Sequence, residues 1–151
     1  MTAWTHDTAL PCPMRSPEHY DGVVAKRGLA WVVDVAAITA MTLTAGLLTL
    51  GVGLFFWPIL FLVVGGLYRV STLAGRSATW GMRLMGIELR GHDGQRLDGA
   101  QAALHVAGYY ASVMFMILPA LASVVAMFVT DRRQGLTDLV LGTAAINSPD
   151  R

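Results

Sequence analysis

The sequence predicts an all-α integral membrane protein. It has two full transmembrane helices, a third apolar block broken at Pro119 as a re-entrant helical hairpin, and a polar connector containing a short hairpin. Three observations lead there. Of the 151 residues, 54% are hydrophobic and only 14% charged, with a mean hydropathy of +0.53. Soluble domains carry about 25% charged residues, so this chain has too little polar surface to cover a water-exposed globule. Residues 35–68 and 106–130 contain no Asp, Glu, Lys, Arg or His, and an uncharged run of about 18 residues is already a transmembrane candidate. Finally, the basic residues, ten arginines and one lysine, gather in the segments between these runs.

The same numbers narrow the function classes. A net charge of +1 gives no field that would attract nucleic acid. One cysteine, Cys12, excludes an internal disulfide and a multi-cysteine metal site. There is no GxGxxG, Walker loop, HExxH or Ser-His-Asp pattern, so neither a cofactor nor an enzymatic activity is expected.

Taken in order, residues 1–22 hold prolines at 11, 13 and 17 and no apolar core, which reads as a flexible cytoplasmic tail. They lack a signal-peptide core, so the first span is expected to act as an uncleaved membrane signal. Residues 23–151 read as one membrane domain. Its first span covers about 29–50, long enough at about 1.5 Å per residue to cross a core of about 30 Å. Threonines and small residues inside it suit close helix contact in lipid. A tight turn at "LGVGL" leads to a second span over about 54–70, with Trp57 near one interface and Tyr68 and Arg69 near the other.

In the connector, "SATWGMRLMG" suits an amphipathic helical turn at the interface, with Trp80 and Leu84 towards lipid and Arg83 away. "RLMGIELRGHDGQRLDG" reads as a strand, an Asp-Gly turn and a second extended piece. The third block, about 103–130, exceeds the length of a straight crossing and holds Pro119 near its middle, where a proline kinks or breaks a helix. A single crossing leaves Arg132, Arg133 and Arg151 outside. A turn back at Pro119 puts every cation inside, as the positive-inside rule favours. Both arrangements remain open at this point, the turn back preferred. The expected location is the cell inner membrane, multi-pass, with a cytoplasmic N-terminus.

Two acids lie in apolar company. Asp34 sits inside the first span, nearly two helical turns after Arg27, and Asp138 is flanked by Leu136, Leu139, Val140 and Leu141. An acid at such depth is expected to face protein or water and find a partner. "RGLAWVVD", "SATWGMRLMGIEL" and "RRQGLTDLVLGTAAI" together resemble the RDD family of small multi-span membrane proteins, over about residues 23–147. The family's name-giving arginine and two aspartates fall on Arg27, Asp34 and Asp138. The chain departs from the pattern at Met82, where a cation is usual although Arg83 is kept. It departs also at Thr137, where histidine is common, and at His105, where an arginine commonly opens the third block.

The resemblance implies an architecture and leaves activity open. One reading of Arg27, Asp34 and Asp138 is a structural knot in which one guanidinium takes two carboxylates. Another is a site for sodium or potassium to proton exchange with Asp34 as carrier, and a third is a surface for a partner or lipid headgroup. Arg83, Arg132, Arg133, Gln134 and His105 are the supporting residues, His105 as an interface hydrogen-bonder or a proton relay. The connector arginines form a solvated positive face or touch anionic lipid. Expected partners are the bilayer and either further copies of the chain or another membrane protein served as an accessory, since so few spans enclose little by themselves.

Overall fold

The structure is a computed structural model and describes residues 8–114 and 117–148. Helix α1 runs Val23–Leu48 and enters through Gly22 in the left-handed conformation. Thr39, Thr42 and Thr44 each return their hydroxyl to the carbonyl four residues back, so these polar groups need no water. Ala30, Asp34, Ile38, Thr42 and Gly46 are buried; their spacing of four makes one stripe that faces the protein. The chain reverses through Gly51 and the short helix α2, Val52–Phe55, into α3, Trp57–Arg76. Pro58 lies in the first turn of α3, where its missing N–H costs nothing.

Both α1 and α3 are long and apolar enough to cross a membrane. They differ from the expected spans in starting or ending deeper in the polar end. Tyr68 and Arg69, expected near an interface, are both buried within α3.

Ser77 ends α3, and Thr79 caps α4, Trp80–Met85, by accepting the Met82 N–H. Strand β1, Ile87–Arg90, follows. The connector was expected to fold this strand onto its own continuation. It pairs instead with β2, Ala144–Asn147, antiparallel from Ile87 opposite Asn147 to Arg90 opposite Ala144. The Asp93-Gly94 turn forms, but after Gly91 bonds Gln95 the chain leaves towards α5. The apolar alternation that pins a strand to the core is supplied by Ala144 and Ala145 at the far end of the chain.

The third apolar block is two helices, α5 over Gly99–Met114 and α6 over Ile117–Val129, bent by 119°. The broken block is as expected, but Pro119 lies inside α6 and not between the two helices. Pro119 is the third residue of α6, where the helix has no use for its N–H. A short helix α7, Leu136–Leu141, leads into β2.

The core lies at the polar end, where Val23, Ala30, Leu73, Ile87, Leu89, Leu97, Val106 and Ala145 meet between α1, α3, α5 and the sheet. The outer faces of the spans expose Leu43, Leu47, Phe55, Ile59, Val63 and Leu67, as expected where lipid is the solvent. The proline-rich lead-in was expected to be a flexible tail. From Ala9 it packs on the sheet: Ala9 bonds His92, and Leu10 and Tyr20 are buried with Ala144 and Ile146. Residues 1–7 lie outside the described residues.

Candidate functional site

Asp34 is buried and bound on three sides. Its Oδ1 accepts the Tyr68 hydroxyl at 2.6 Å and the Gly81 N–H at 2.9 Å; its Oδ2 accepts the Thr79 hydroxyl at 2.6 Å. Tyr68 belongs to α3, while Thr79 and Gly81 open α4. One carboxylate thus joins α1 to both. Gly81 has to be glycine, because a Cβ there would lie 2.1 Å from the Ala30 carbonyl oxygen of α1. Tyr68 in turn accepts the Trp80 N–H at 3.0 Å, and its ring meets Trp80 edge-on at 5.4 Å.

Asp138 is fully buried. Its Oδ2 takes the Arg27 Nη1 at 2.6 Å and the Gly135 N–H at 3.0 Å, and its Oδ1 takes the Thr143 hydroxyl at 3.0 Å. Nδ1 of His105 stands 3.7 Å from Oδ1, too far for a hydrogen bond, and is buried without a partner. Burial alone pushes the Asp138 pKa up, but the Arg27 charge, then His105 and the Gly135 N–H, outweigh it and hold the carboxyl below the usual aspartate range.

The two acids therefore belong to two adjoining clusters. The expected knot, with Arg27 taking both carboxylates, does not form. Arg27 and Asp34 share a helix face but lie about 10 Å apart along the axis, and neutral donors from α3 and α4 reach Asp34 instead. Among the supporting residues, His105 joins the Asp138 cluster. Gln134 bonds the Thr143 carbonyl at 2.6 Å and so braces the same segment. Arg133 turns to the Phe128 carbonyl at 2.9 Å, and Arg132 lies near the Tyr20 phenol. Arg83 is exposed on α4, away from both acids.

Between α1 and the α5–α6 pair opens a cleft of about 1290 Å³, lined by Arg27, Asp34, Arg69, His105 and Asp138. Trp31 and Tyr109 bridge its mouth with a 3.0 Å hydrogen bond. Arg69 lies over the Tyr109 ring at 4.8 Å, a cation–π contact inside a span. Among the described residues, no three His, Cys, Asp or Glu side chains are placed to hold a metal.

The family model described as the RDD family matches residues 22–142. The chain belongs to the RDD family. No curated protein and no solved structure matches it significantly. Family membership and the two long apolar helices make it a membrane protein of undefined activity. In this RDD chain the name-giving arginine and second aspartate form one direct pair, and the first aspartate has separate partners. Tyr68 and Thr79 were not identified from the sequence as partners of Asp34. A Trp-Gly dipeptide just inside a helical turn was the available signal for Gly81, since a glycine there permits close helix contact.

Proposed function

We propose that this protein is a structural or accessory membrane module whose buried acids fasten its polar end to its spans. One observation carries this reading: both acids are saturated by the chain's own donors. Asp34 accepts three neutral donors from α3 and α4, and Asp138 accepts Arg27, Gly135 and Thr143. Groups so engaged hold segments together. The module acts in the cell inner membrane as a homo-oligomer or beside another membrane protein. Its N-terminus faces the cytoplasm, a placement supported by the arginines that follow α3 and α6. A reporter fused after Arg151 should signal from the cytoplasmic side, and an external signal would defeat that topology.

A second reading, sodium or potassium exchange for protons through Asp34, is favoured by a specific feature: both acids line the cleft, and His105 Nδ1, 3.7 Å from Asp138, has no hydrogen bond among the described residues. Reconstitution in liposomes under an imposed pH gradient separates the two. The module moves no sodium, potassium or proton, and Asp34→Asn lowers its thermal stability. An exchanger shows flux that Asp34→Asn abolishes without changing the level of protein.

A further inference from the structure

A second pocket, of about 480 Å³, lies at the polar end between the end of α3, α4 and β1. Three of its lining side chains are arginines from three different segments: Arg76 at the end of α3, Arg83 on α4 and Arg96 beyond β1. Among the described residues one acid lines it, Glu88, and its Oε1 already takes the Nε of Arg90 at 2.7 Å. Arg96 Nη2 stands 3.9 Å from the other carboxylate oxygen, so Glu88 also helps orient Arg96. Three guanidinium groups thus gather around one pocket. Gly75, Ala78, Gly86, Ile87 and Ser148 complete the wall, and a Cβ at Gly75 would meet nothing within 4 Å.

The depth of this pocket follows from α4. Trp80 and Leu84 are 50% and 62% exposed and one helical turn apart, so they form a small apolar face beside Arg83. A small apolar face of this kind suits the headgroup zone, which tryptophan prefers. The T-shaped contact with Tyr68 and the bonds of Asp34 to Thr79 and Gly81 fix α4 against α1 and α3 at that level. With Trp80 at that zone, the arginines would stand at the level of the phosphates of the adjoining leaflet. Guanidinium forks match phosphate oxygens bidentately, and a pocket this size accepts a small headgroup.

We propose that Arg76, Arg83 and Arg96 form a binding site for the phosphodiester headgroup of an acidic phospholipid, with Trp80 and Leu84 resting against its acyl chains. This differs from a diffuse basic surface in being one saturable site per chain.

The test is native mass spectrometry of the full-length protein in detergent, titrated with phosphatidylglycerol or phosphatidylcholine. The wild type should retain one phosphatidylglycerol per chain in preference to phosphatidylcholine. Arg76→Gln, Arg83→Gln and Arg96→Gln should each weaken that binding about fivefold, and the triple variant should lose the preference. If the triple variant fails to fold, the three single variants decide. Arg15→Gln, an exposed cation of the lead-in, should change nothing. The proposal is overturned by an unselective wild type, by a preference that survives the pocket substitutions, or by an Arg15→Gln effect as large as theirs, which would mean a diffuse field. Equal competition by water-soluble glycerol phosphate would assign the pocket to a free phosphate and overturn the lipid assignment.

Discussion

Asp34→Ala tests the fastening role most directly. The substitution strands three donors: the hydroxyls of Tyr68 and Thr79 and the N–H of Gly81. A buried donor left without an acceptor costs about 1–3 kcal/mol. Removing the carboxylate also returns part of what its burial costs, so the low end applies, about 3 kcal/mol for the three. In a chain of this length each kcal/mol moves the melting temperature by about 2–4 °C, which gives a loss of about 6–12 °C. Asp34→Asn keeps one oxygen for Tyr68 and Gly81 and disturbs only the bond to Thr79, so it should lose about 1 kcal/mol. Thermal unfolding in mild detergent, followed by tryptophan fluorescence, reads both. An Asp34→Ala protein melting within about 1 °C of wild type, against the shift expected from three stranded donors, would refute the reasoning. So would an Asn variant less stable than the Ala variant.

Arg27→Gln should leave Asp138 as an uncompensated buried charge and destabilise by about 3 kcal/mol, the lower part of the range for breaking such a pair. Arg27→Gln with Asp138→Asn should regain most of that in the same melting assay. Because the folded state holds the Asp138 pKa below its unfolded value, its contribution is complete above about pH 4 and is lost as pH falls through the lower folded value. The melting temperature should therefore be level from pH 8 to 5 and drop below about 4, with a smaller drop in Asp138→Asn. Gly81→Ala forces a methyl to within 2.1 Å of the α1 backbone. It should reduce the yield of folded protein, and size-exclusion chromatography in detergent should show the loss.

The two spans were legible because charge-free runs of that length seldom occur outside a bilayer, and the two acids because carboxylates are costly in apolar company. Their partners were less so. Helical periodicity reports which residues share a face, and it placed Arg27 above Asp34. A shared face two turns apart is not a contact, and Thr79 and Gly81 come from a different helix 45 and 47 residues further on. The same limit explains the sheet. "IELR" reads as a strand by itself, but nothing local says that its neighbour is Ala144–Asn147. Pro119 signalled the broken block but not the place of the break, because a proline has two meanings, a breaker inside a helix and a tolerated residue in its opening turn. Arg69 was expected only near an interface, because its shelter, the rings of Tyr109 and Tyr110, arrives from another element.

The bond between Arg27 and Asp138 spans 111 residues of chain, and the ribosome delivers those residues one at a time. At about 5–20 residues per second, some 6–22 s pass between the emergence of the cation and that of its acid. For that interval the nascent first helix carries a lone guanidinium at its entrance, and the sheet lacks its closing strand. A polypeptide cut short anywhere before Asp138 would stay in this unfinished condition.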